Sequence, residues 1–240
     1  MLCLRQDADE LAVRSIMKKL FKWKKKKAPV TEYYWEWFNR TFVVTNKIKQ
    51  LQLKNYRVLD VGGTKRENLL KKMGIENVVS ANIIDDADVR ASGYDLPFKD
   101  RSFECVTCVA MLEHVPQELR GKIARELIRV ASKAVFVSAP IASEENDRAE
   151  EIVLKYLAAG FVKEHRVFGL VDFDRLIPEI RSSVSMGKVS RIQEDDIDNL
   201  LNWVVMMVGN KVDVSQLYQE LYFLENKFNP RTKVLSIYLK

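Results

Sequence analysis

From Arg57 onward the chain reads as an α/β protein, because short apolar runs alternate with helical segments and a glycine-bearing turn follows the first run. Such alternation favours a mostly parallel sheet with helices on both faces. Strands are predicted at residues 57–61, 77–83, 103–109 and 133–139. Pro116 opens a helix in which Leu119, Ile123, Leu127 and Val130 recur at helical spacing. A further helix is predicted at 147–159, stopped by Gly160. Weaker strands follow at 183–189 and 233–239, with helical segments at 195–208 and 215–227 between them.

With 240 residues the chain suffices for one sizeable domain with extensions. Its 47% hydrophobic and 30% charged residues exclude a disordered or fibrous class. No apolar run reaches the ~18 residues of a membrane span. The start of the chain lacks a signal peptide, because Arg14 and then lysines interrupt its apolar residues. A cytoplasmic location is expected.

The net charge of +6 sits in one place. Residues 1–30 hold nine Lys and Arg against Asp7, Asp9 and Glu10, and residues 31–240 carry thirty bases and thirty acids. The first segment reads as a basic amphipathic arm, with Leu11, Ile16, Leu20, Phe21 and Trp23 among the bases and Pro29 as its stop. Such an arm can lie on an anionic membrane surface, which would make the protein peripheral, or on nucleic acid; it can also be a solvated tail. Residues 31–240 then form the body, with a helical insertion at about 190–230. An aromatic cluster at 32–38 is expected to pack on the core or to line a lid.

Cys3, Cys105 and Cys108 give no disulfide framework. The C-x-x-C pair falls in an apolar strand, where alternation sends the two thiols to opposite faces, so it reads as core. No metal site is expected.

Chemistry enters at Asp60-Val61-Gly62-Gly63, where a buried strand runs into a turn whose glycines let backbone approach a ligand. In open α/β sheets ligands settle beyond the carboxyl ends of the strands. A second group of residues is Leu96-Pro97-Phe98, then Ser102-Phe103-Glu104, then a strand running to Leu112-Glu113-His114. Together, over residues 57–140, these resemble the class I S-adenosylmethionine-dependent methyltransferases, especially the quinone-biosynthesis branch.

The resemblance implies a Rossmann-like, seven-stranded, mostly parallel sheet with residues 233–239 as a reversed final strand. It implies S-adenosylmethionine as cofactor, approached by Asp60, Gly62 and Gly63 on the methionine side. Asn82 stands where the family has an acid for the ribose hydroxyls, and Ser92, with Gly93 and Tyr94, where an acid often meets the adenine amine. Val109 and Ala110 end the strand beside the sulfonium. The sequence departs from the family at Thr64-Lys65-Arg66, where more glycines are usual, and at the two missing acids, for which Asp85 or Asp86 can substitute.

Methyl transfer asks mainly for positioning of the nucleophile. His114 is the expected catalytic base, with Glu113 orienting it or holding substrate. His165 falls where the family places substrate-facing residues, and also reads as a surface-loop histidine. The expected function is methyl transfer to a small-molecule or lipid-like acceptor. The alternatives are a non-catalytic or regulatory protein with this fold, and an RNA methyltransferase, for which the arm is the sole support.

Overall fold

The computed structural model describes residues 35–183, 188–209, 211–224 and 228–240. The basic arm lies outside the described residues, as do Tyr33 and Tyr34 of the aromatic cluster; Phe38 of that cluster stacks on Phe42 with ring centroids 6.2 Å apart.

The sheet forms because three segments are buried on both faces. In β1 (Val58–Val61) every residue is buried, and β4 (Phe103–Val109) and β5 (Ala131–Pro140) are buried along most of their length. Continuous apolar runs are what parallel strands covered on both sides require. With β2 (Val78–Asn82), β3 (Val89–Arg90), β6 (Val189–Asn199) and β7 (Pro230–Leu239) they make a seven-stranded sheet in the order β3-β2-β1-β4-β5-β7-β6. Strands β1 to β5 are mutually parallel, Leu59 standing between Val79 and Val106, while β7 runs antiparallel between β5 and β6.

Both faces are covered. On one, α3 (Gln117–Val130) and α6 (Phe173–Ser183) press Ile123, Leu127, Leu176 and Ile180 onto Leu59, Val106 and Val137. On the other, α1 (Trp35–Gln50) sets Val44 and Ile48 against Val58, Cys105 and Phe136. The short α2 (Leu69–Lys72) is capped by the Asn68 side chain. A satellite core joins α4 (Glu144–Tyr156), α5 (Gly160–Phe168), α7 (Leu200–Val208) and α8 (Val214–Leu221) around Val153, Val162 and Trp203. Cys105 and Cys108 do face opposite cores, and burial lifts the Cys105 thiol to about 12 and Cys108 well above its usual value. Neither supplies a thiolate.

Three expectations are corrected. Helix α4 starts earlier, because Ser143 caps it by accepting from the Asn146 N–H, and it ends at Tyr156; Gly160 opens the next helix instead of stopping this one. The strand expected at 183–189 is β6, beginning where that range ends; residues 184–187 lie outside the described residues. Residues 195–199, expected as helix, belong to the same strand. This edge strand is rich in charge, as edge strands commonly are, and Lys233 of β7 reaches Glu194 at 2.6 Å and Asp196 at 3.6 Å. Within 190–230 the helical part is therefore α7, α8 and a 3-10 turn ending at Leu224.

Candidate functional site

The turn after β1 depends on its glycines. Gly62 sits at φ +88°, in the left-handed region, and a Cβ there would come within 2.7 Å of Met111 Cγ. A Cβ on Gly63 would fall 2.0 Å from Asp60 Oδ2. The Asp60 carboxylate is itself occupied in bracing the turn, accepting from Thr107 Oγ1 at 2.8 Å and from Asn68 Nδ2 at 2.7 Å. Burial lifts its pKa to about 6 against those two hydrogen bonds, which lower it.

Asn82, at the end of β2, turns toward the same loop. Its amide nitrogen donates to the Gly62 carbonyl at 2.7 Å and to the Gly63 carbonyl at 3.3 Å, and its oxygen accepts from the Ile83 N–H at 2.8 Å. The two acids beyond it are ion-paired, Asp85 with Arg90 at 2.9 Å and Asp86 with Arg66 at 3.0 Å. At the end of β4, Ala110 takes φ +53° and turns the chain into the 3-10 turn Leu112–His114. A left-handed alanine is strained, and such strain gathers at functional sites.

Between these strand ends lies a cavity of about 440 Å³, within the ~300–1,000 Å³ typical of small-molecule sites. Of the residues named from the sequence, Gly62, Asn82, Ser92, Gly93, Tyr94 and Ala110 line it, together with His114. Asp60, Gly63 and Val109 line a smaller hollow of about 50 Å³, which shares Gly62 with the first. Sequence reasoning missed Met111, Leu119 and Ile123, which also line the cavity. The helical spacing of the last two is visible in the sequence, but spacing alone does not tell that they border a cavity.

The pair Glu113 and His114 is separated by its partners. Glu113 is buried, 1% exposed, with Oε1 3.2 Å from the Arg40 guanidinium. His114 is 29% exposed, and its Nδ1 lies 2.7 Å from Glu164 Oε2. The expectation that Glu113 orients His114 is corrected: Glu164 does so, and Arg40 holds Glu113. His165 is corrected as well. It is 3% exposed inside α5, not on a surface loop, with Nδ1 2.7 Å from Glu150 Oε1 and its ring centroid 5.0 Å from that of His114. Burial raises the Glu150 pKa, but His165 and Arg231, the latter at 2.6 Å, outweigh it and hold the carboxyl below its usual range. Arg40, Glu150, Glu164 and Arg231 were not singled out from the sequence, where nothing local marks them.

Residues 59–137, which contain the glycine turn, the strand ends and the Leu-Glu-His turn, match a methyltransferase domain family. No curated protein matches the chain. The fold of the chain resembles that of a SAM-dependent methyltransferase from Archaeoglobus fulgidus, with 14% identity, a TM-score of 0.50, and coverage of 82% of this chain and 94% of that one. Phosphoethanolamine N-methyltransferase 2 of Haemonchus contortus, in complex with phosphomonomethylethanolamine and S-adenosylhomocysteine, is similar at 10% identity and TM-score 0.53, over 83% of this chain and 52% of that one. Magnesium protoporphyrin IX methyltransferase of Synechocystis, with bound S-adenosylhomocysteine, is similar at 12% identity and TM-score 0.50, over 85% and 83%. At these identities the likeness shows a shared fold, the Rossmann-like methyltransferase architecture with its reversed strand between β5 and β6. No helix among the described residues is long and apolar enough to cross a membrane.

Proposed function

We propose that the 440 Å³ cavity holds S-adenosylmethionine and that the protein transfers a methyl group from it to a small-molecule or lipid-like acceptor. The observation that carries this reading is the placement of the cavity. Gly62, Asn82, Ser92 and Ala110 bring it the carboxyl ends of β1, β2, β3 and β4, where ligands of open α/β sheets bind, inside the matched methyltransferase domain. The residues fit the group. Added Cβ atoms would crowd it at Gly62 and also at Gly93, where Met111 Cε would lie 3.2 Å and Val61 Cγ1 3.3 Å away, so both positions keep backbone open to a ligand. The lining is mostly apolar, which suits an adenine ring and excludes water.

When bound, the cofactor supplies a methyl group activated on a sulfonium. The chain's own part is positioning and proton handling. Asn82 fixes the glycine turn through two carbonyls, and the Asp60, Asn68 and Thr107 contacts brace it from below. His114 is the imidazole that lines the cavity. Held at Nδ1 by Glu164, it leaves Nε2 to take a proton from an acceptor. Buried Glu113 serves the site through its contact with Arg40. Within the class I enzymes, the Leu96-Pro97-Phe98 turn and the Leu112-Glu113-His114 turn favour the quinone-biosynthesis branch.

A second reading, a non-catalytic protein with this fold, draws on the pairing of Lys65 and Arg66 with Asp88 and Asp86 where a glycine-rich loop is usual. One experiment separates the two: calorimetric titration of the full chain with S-adenosylhomocysteine, followed by transfer of labelled methyl from S-adenosylmethionine to a panel of small hydroxyl and amine acceptors and lipids. Saturable binding with transfer supports the enzyme. Binding without transfer, or no binding, removes the enzyme and favours the second reading.

A further inference from the structure

Beside the cavity, the 3-10 turn and helix α5 bring together three side chains whose chemistry is not used up by their neighbours. One ligand atom from each of Glu113, His114 and His165 lies within 4.8 Å of the others. Glu113 spends Oε1 on Arg40, and its buried Oε2 has no hydrogen-bond partner. His165 spends Nδ1 on Glu150, and its buried Nε2 has no partner either. Buried polar atoms are nearly always satisfied, so two orphans within one cluster call for an occupant.

The arrangement around the rings indicates what that occupant is. Each imidazole is held at Nδ1 by a carboxylate, His114 by Glu164 and His165 by Glu150, both at 2.7 Å. A carboxylate behind each ring fixes its orientation and tautomer, as is usual for a metal-bound histidine. A bridging water can satisfy both orphans. Two carboxylate-backed imidazoles and an anionic donor within 4.8 Å of one another are, beyond that, the donor set of a metal ion. The charges facing the cluster leave room for a cation. Glu113, Glu150, Glu164 and Asp198 stand against Arg40, Arg120 and Arg231.

We infer that Glu113, His114 and His165 form a binding site for a divalent first-row transition ion of the zinc, cobalt or manganese kind, at the edge of the cofactor cavity. Two imidazoles and one carboxylate suit such ions better than magnesium or calcium, which prefer all-oxygen shells. Three protein donors leave at least one coordination position open, and His114 places the cluster on the cavity wall. Ligand atoms in a tetrahedral site with bonds of ~2.0–2.1 Å stand closer together than the 4.8 Å that bounds this cluster, so an ion would draw the donors together. The half-exposed His114 ring is the element free to move. A bound ion occupies the Nε2 that the metal-free protein offers as a base, so His114 then serves as a ligand and the two uses exclude each other.

The test needs no cofactor and no activity, so its outcome is independent of the methyltransferase reading. Tag-free full-length protein, stripped with a chelator, is titrated with Zn²⁺ by calorimetry and with Co²⁺ by visible absorption. One ion per chain and a cobalt spectrum with nitrogen ligation are expected. His114→Ala, at a partly exposed position, and Glu113→Gln should each weaken binding at least tenfold and alter the cobalt spectrum. Glu164→Gln, which removes only the carboxylate behind the His114 ring, should also weaken it, within the ~10-fold to 100-fold range known for such partners. Melting curves of each stripped variant establish that it is folded. No saturable uptake by the native chain overturns the inference, as does uptake that His114→Ala and Glu113→Gln leave unchanged.

Discussion

Replacing Gly62 by alanine tests whether the first turn is both a structural and a ligand-bearing element. The new Cβ would stand 2.7 and 2.9 Å from Met111 Cγ and Cβ, closer than real Cβ atoms come, at a backbone φ of +88°. The left-handed conformation costs a non-glycine residue ~1–2 kcal/mol. Overpacking against Met111 adds ~1–3 kcal/mol, less whatever the methionine recovers by moving. The sum, about 2–5 kcal/mol, is a large share of the ~5–15 kcal/mol that holds a typical domain folded. Met111 also lines the cavity, so the displacement that relieves the clash narrows the binding site. Urea denaturation should show the lower midpoint, and calorimetry of the surviving folded protein should show weaker S-adenosylhomocysteine binding. Gly160→Ala is the matched control, because nothing lies within 4 Å of its added Cβ and its φ is not left-handed; there a gain of ~0.5–1 kcal/mol is expected. A Gly62→Ala protein with native midpoint and native affinity would refute the account of the turn.

Two further outcomes follow from contacts in the same region, and a third from the charge of the arm. Asn82→Asp sets a carboxylate against the carbonyls of Gly62 and Gly63 that the amide now binds, so it should destabilise by ~1–3 kcal/mol and more than Asn82→Ala does; tighter S-adenosylhomocysteine binding by the aspartate would instead place this side chain on the ribose. Asp60 titrates near 6 when folded and near 3.8 when unfolded, so the folded state holds the proton better. Its contribution is therefore full below pH 4 and is lost as pH rises through 6, by about 3 kcal/mol at most; a pH series of melting temperatures should show this slope in the native chain and not in Asp60→Asn. Removing residues 1–29 should leave cofactor affinity unchanged and abolish binding to anionic vesicles, whereas equal vesicle binding by both proteins would make the arm a solvated tail.

The parallel half of the sheet was legible because its strands are buried on both faces. Val58-Leu59-Asp60-Val61 and the run from Phe103 to Val109 have no solvent face to blur their boundaries. The other edge was not. Arg191-Ile192-Gln193-Glu194-Asp195-Asp196 has the composition of a surface helix, and only pairing with β7, through Lys233 and the backbone ladder, makes it a strand. β3 escaped notice for a simpler reason: two residues carry no period.

The site divides along the same line. Residues that end buried strands, Gly62, Asn82 and Ala110, could be named because the strand fixes where its carboxyl end lies. What each side chain does there could not be, since it depends on partners distant in the chain. Glu113 and His114 are neighbours in sequence, and neighbours invite a shared role. In the fold they are drawn apart by Arg40, which is 73 residues away from Glu113, and by Glu164, which is 50 residues away from His114. His165 then fills the place that Glu113 was expected to take beside His114, and Glu150 holds it there from the preceding helix. Whether His114 moves a proton or holds an ion is thus decided by α1, α4 and α5, elements that lie outside the segment carrying the family resemblance. The same segment on different helices would be a different site, which is why the resemblance reaches the cofactor and stops short of the acceptor.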